Sequence, residues 1–103
     1  MIKVSVLYPN SENLVFDKEY YLNKHVPLVS ELLGEALKNV QVDFGLTNGS
    51  SDESAIYVVI THLTFDSIES FQNIFPIHAE ELLSDIPRFT NSRPQLQISE
   101  III

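Results

Sequence analysis

Residues 55–63, AIYVVITHL, constrain the fold more than any other stretch. Tyr57, Val58, Val59 and Ile60 put apolar side chains on both faces of a strand, and a strand with no solvent face belongs in the middle of a sheet. The remaining elements must therefore flank and cover it. Ile2 to Tyr8 is rich in β-branched residues and stops at Pro9-Asn10, which predicts a strand followed by a turn. Val40 to Leu46 predicts another strand, leading into an exposed polar loop over Thr47 to Asp52. Gln95 to Ile103 predicts a last strand with an unusually apolar end.

Two helices separate these strands. Phe16-Asp17 opens the first: Asp17 can accept from free first-turn amides, and Phe16 can pack on Tyr21 as a hydrophobic staple. Leu22, His25, Val29, Leu32, Leu33 and Ala36 follow the three-and-four spacing of one helical face. Pro27 falls inside that pattern, so a kink or loosening is expected between Asn23 and Pro27. The second helix is predicted to start at Asp66, with Glu69 completing a capping box, and to break at Pro76, where a new helical piece begins. In that piece Phe75, His78, Ala79, Leu82 and Ile86 share a face. The resulting order, βαββαβ, is the split βαβ arrangement of ferredoxin-like α+β folds, a four-stranded antiparallel sheet with the first and third strands central. Ile101, Ile102 and Ile103 would then lie on a bare edge, which pairing of two sheets face to face would bury; a homodimer is expected.

At 103 residues and 45% hydrophobic content, one domain over 1–103 with a single modest core is expected. Acidic residues outnumber basic ones 14 to 6, for a formal charge of −8, which disfavours nucleic acid and anionic membrane surfaces as partners. The absence of cysteine removes disulfides, thiolate metal sites and cysteine nucleophiles, and makes the cytoplasm the simplest compartment. MIKVSVLYPN lacks the pattern of a signal peptide, and no segment has the length of a membrane span. Gly34, Gly45 and Gly49 are too dispersed to cradle a phosphate.

The chemistry left to this chain centres on histidine. His25 sits in the apolar stripe one turn after Tyr21, as either a core residue bonded to a carbonyl freed by Pro27 or the acid/base group of a pocket. His78 allows the same two readings: a core histidine satisfied by Asp85 or a strand carbonyl, or a second pocket group facing the cavity of His25. His62 is assigned to solvent or a dimer seam, and a metal site built from all three histidines ranks low because no two stand at a short ligand spacing. Tyr8, Tyr20 and Tyr57 are core aromatics or pocket walls. Asp85, Thr90 and Asn91 are read as loop-fixing residues, and Gln97 and Glu100 as structural, bonding across a dimer.

The segments FDKEYYLNKHVPL, FPIHAEELLSDIPRFTN and RPQLQISEIII, in this order, resemble the EthD family of the dimeric α+β barrel superfamily. The similarity spans nearly the whole chain and rests on a YxxxHxPL helix, an HxxxxxxDIPxFT segment and a final QISE strand. It implies a dimeric α+β barrel with a small cavity between helices and sheet in each subunit. It also implies proton-transfer chemistry of isomerase, cyclase, dehydratase or monooxygenase type on a small aromatic or polyketide-like molecule, without a cofactor or metal. The catalytic candidates are then His25, His78 and Tyr21. A non-catalytic protein that binds a small apolar molecule for a catabolic pathway is the alternative. Arg88 stands where the family commonly carries a smaller polar residue, which alters the charge at that rim.

Overall fold

A computed structural model describes residues 1–50 and 52–103; Ser51, within the expected polar loop, lies outside the described residues. Strands β1 (Ile2–Pro9), β2 (Asn39–Phe44), β3 (Tyr57–Phe65) and β4 (Gln95–Glu100) form one antiparallel sheet in the order β2-β3-β1-β4. As the pattern of residues 55–63 requires, β3 is central, and β1 is the other inner strand.

Alternation along these strands separates two faces. Val4, Tyr8, Val59, Leu63 and Phe65 are buried on the face that the helices cover. On the opposite face, Ser5 lies across from His62 and Leu7 across from Ile60. β3 runs two residues past its expected end because the alternation continues to Phe65, which is fully buried. β2 instead stops short of Leu46. At Gly45 the chains approach so closely that a Cβ would lie 2.2 Å from the Tyr57 carbonyl oxygen, and Leu46 points to solvent. β4 likewise ends at Glu100; the Ile101 amide still donates to the Met1 carbonyl, and Ile102 and Ile103 form a tail and not the end of an edge strand. The exposed apolar residues of the β4 edge itself are Leu96 and Ile98.

The first helix changes register along its length. α1 (Lys18–Tyr20) is capped by Asp17, whose carboxylate accepts from the Tyr20 amide, and Phe16 packs edge-on against Tyr21 with ring centroids 5.3 Å apart. A π-helical turn (Tyr21–His25) follows, then α2 (Val26–Leu33). Pro27 has no amide to give the Asn23 carbonyl and its ring crowds that oxygen, so widening to the bond from the Val26 amide to the Tyr21 carbonyl accommodates it. This is the loosening the sequence predicts between Asn23 and Pro27. The inserted residue also turns Leu22 outward, contrary to its expected place on the apolar face, while Tyr21 and His25 are buried. Gly34 ends α2 at φ 55°, where a side chain would be strained.

The second helix corrects two expectations. α3 (Ile68–Asp85) is capped by Ser67, whose hydroxyl accepts from the Ser70 amide; Asp66 stands one residue too early and pairs with Lys38. The helix also runs through Pro76 without breaking. Pro76 and Gln72 are both exposed, so the Gln72 carbonyl that loses its partner faces water.

Candidate functional site

α2, α3 and the covered sheet face enclose a cavity of about 120 Å³. Val29 and Leu33 come from α2, Phe75 and Leu82 from α3, and Val6 and Leu63 from the sheet. Polar side-chain atoms enter this wall only from Tyr8, Tyr21, His25 and Thr61.

His25 is the residue around which the site is built. Its ring stacks on Tyr21 with centroids 5.4 Å apart and lies against Phe89 at 4.7 Å. Its Nδ1 is hydrogen-bonded to Asp85 Oδ2 at 2.8 Å, at the end of α3. The Tyr20 hydroxyl donates to the other oxygen, Asp85 Oδ1, also at 2.8 Å, and Arg88 Nε stands 3.7 Å from that same oxygen. Because Asp85 accepts at Nδ1, the imidazole carries its proton there, and Nε2 presents a lone pair. Among the described residues no side chain or backbone group bonds Nε2, yet no fully enclosed polar side-chain atom lacks a partner. Nε2 therefore opens on the cavity that His25 lines.

Local chain geometry holds this pair together. The short turn after α3 (Ile86–Arg88) brings Phe89 and Thr90 beside the start of α1, where the Asp17 amide donates to the Phe89 carbonyl and Phe16 bridges Thr90. Thr90 and Asn91 fix the incoming loop as expected: Thr90 donates to the Val15 carbonyl and Asn91 to that of Asn13. Asp85 departs from that expectation, being the partner of His25. It displaces both the freed carbonyl foreseen for His25 and the Asp85 contact foreseen for His78. The signal was present in the sequence, since Asp85 opens the DIPxF motif, but pairing residues 25 and 85 required knowing where α3 ends.

Burial dominates the electrostatics. It pushes the His25 imidazole below its ordinary pKa, with Asp85 opposing but not reversing the shift, so the ring is neutral at neutral pH. Burial also acts to raise Asp85, but the hydrogen bonds from His25 and Tyr20 outweigh it and hold the carboxyl below its usual range. The phenols of Tyr8 and Tyr21 are pushed up by burial and stay protonated. Tyr21 shares a 2.5 Å hydrogen bond with Thr61.

The other histidines stand apart. His78 is half-buried on α3, does not line the cavity and makes no side-chain hydrogen bond among the described residues, so the helix face carries it past the site instead of into it. His62 occupies the uncovered sheet face, with Nδ1 2.8 Å from Ser5 Oγ and Nε2 3.4 Å from Asp43. Among the described residues no group of three His, Cys, Asp or Glu side chains is arranged to hold a metal. Of the other tyrosines, Tyr8 lines the cavity and Tyr20 supports Asp85, while Tyr57 donates to Gln95 on the exposed surface.

The family model of the EthD domain matches residues 16–93, a span that contains Tyr21, His25, Thr61, Asp85 and Phe89. This chain belongs to the EthD family. An EthD-like protein from Ralstonia eutropha is 37% identical, superposes with a TM-score of 0.95, and is matched over 99% of this chain and 92% of its own. An ethyl tert-butyl ether D (EthD) family protein from Bacillus halodurans has the same fold at 24% identity and a TM-score of 0.75, with 99% of each chain covered. A dimeric ferredoxin-like protein from an uncultured marine organism shares the fold at 14% identity and a TM-score of 0.55, over 100% of this chain and 96% of that one. No curated protein matches. The EthD match leaves out β1 and β4, which supply Val6, Tyr8 and Leu96 to the cavity wall.

Proposed function

We propose that this EthD-family protein is a small cofactor-independent enzyme that moves a proton on a small apolar or aromatic molecule. The reading rests on one observation: His25 Nδ1 is bonded to Asp85, leaving Nε2 unpaired in an apolar cavity. A neutral imidazole so placed takes a proton from a bound C–H or O–H acid and returns it to a neighbouring atom, the step common to isomerisation, cyclisation and dehydration. Asp85 orients the ring and stabilises the imidazolium formed in passing. Tyr21 holds the ring by stacking and is itself held by Thr61. His78 has no place in this scheme.

The test is solvent deuterium incorporation into a small enolisable aromatic ketone such as phenylacetone, with folding followed by circular dichroism. His25→Gln is expected to abolish exchange while remaining folded; exchange at the wild-type rate would reject the role. The almost wholly apolar wall also suits a protein that only carries its ligand for a catabolic pathway, and binding without exchange in the wild type would favour that reading.

The active state in this proposal is a cytoplasmic homodimer formed by face-to-face packing of the uncovered sheet faces. Leu7, Val58 and Ile60 on that face, the exposed Ile102 and Ile103, and the dimeric state of the marine relative support it.

A further inference from the structure

The cavity's composition narrows what it can hold. No lysine or arginine belongs to its wall, and Tyr21 and Thr61 are occupied with one another. The nearest carboxylate, Asp85, has both oxygens engaged, by Tyr20 and His25. A carboxylate or phosphate entering this space would lose its water, meet no cation and approach a negative charge. An uncharged molecule meets none of these costs.

The acceptor nitrogen of the wall sets the second requirement. With the proton on Nδ1, His25 Nε2 accepts and does not donate, so the matching guest offers a phenol or enol O–H. Size sets the third: a cavity of about 120 Å³ is comparable with the roughly 150 Å³ apolar cavity that holds one benzene. Anything larger must leave by the mouth. Leu83 and Leu96 both line the cavity and are 53% and 56% exposed, and Ile98, on the same side of β4, continues the apolar strip outward.

We propose that the site takes an uncharged phenol or enol of single-ring size, with any apolar chain leaving between α3 and β4 over Leu83 and Leu96. This assignment rests on the reading of His25 as a proton acceptor, and it concerns the ligand alone.

Isothermal titration of the intact protein with 4-alkylphenols from methyl to butyl, the matching alkylbenzenes and the matching 4-alkylbenzoates tests it. The phenols are expected to bind, with the benzoates weaker by about tenfold or more. Each added methylene should tighten phenol binding by up to about fourfold. Leu96→Ala, a change at the exposed rim, should flatten that chain-length dependence. His25→Leu, which leaves no acceptor at this position, should remove the preference of the site for phenol over alkylbenzene. Benzoates binding as well as phenols, or no phenol binding at millimolar concentration, would overturn the assignment. The outcomes separate from those for catalysis: phenols failing to bind while His25→Gln still abolishes deuterium exchange rejects the ligand class only, and phenols binding while exchange ignores His25 rejects the catalytic role only.

Discussion

A buried imidazole that bonds a carboxylate on one side and faces an apolar cavity on the other carries a definite pH signature. Burial lowers the pKa of His25 in the folded chain, so below the ordinary histidine value of 6.5 the unfolded chain binds the extra proton more readily. The stability contributed by the neutral ring is thus complete above about pH 6.5 and is lost as pH falls below it. Urea denaturation across pH 5–8 should show this decline, and His25→Gln should remove it. Asp85 raises the His25 pKa in the wild type, so Asp85→Asn is expected to lower it further, read from the ring resonances by NMR. Tyr21→Phe strips the buried Thr61 hydroxyl of its partner and should cost about 1–2 kcal/mol in urea denaturation. Periodicity placed His25 on the inner face, and Tyr21 entered only as its neighbour one turn earlier. The same periodicity also sent His78 inward and Leu22 with it, because a pattern of spacings cannot register a π-helical insertion or where a cavity stops.

At the scale of elements, caps and breaks were legible as residue types and displaced by a residue or two in position. Ser67→Ala should destabilise the protein by about 1 kcal/mol, whereas Asp66→Ala should change little, since only Ser67 bonds the first turn of α3. Thermal melts of the two variants check the assignment. Gly34→Ala forces a side chain into φ 55° and should cost more than about 1 kcal/mol. The two helical prolines have opposite outcomes. Pro27 sits in the first turn of α2, directly after the π-helical turn; Pro76 sits where its unpaired carbonyl partner is already in water, and α3 continues. Local sequence predicts a disturbance at both, and only the orientation of each helix decides which occurs.

For the molecule as a whole, the cavity lies on one face of the sheet, and the proposed dimer uses the other. If the uncovered face pairs with a second copy, sedimentation at micromolar concentration should give a dimer. Ile60→Glu, at a position that does not line the cavity, should then yield a monomer with the His25–Asp85 pair intact by NMR. The order of strands and helices, the central place of β3, the inward position of His25 and the kinship with EthD proteins were all determined by the sequence itself, because each follows from local periodicity or a contiguous motif. The union of His25 with Asp85, the exclusion of His78 and the opposition of His62 to the cavity were decided only by the tertiary structure. Those facts join residues sixty positions apart, or separate residues that share a pattern, and they depend on how far α3 runs before its chain turns back over α1.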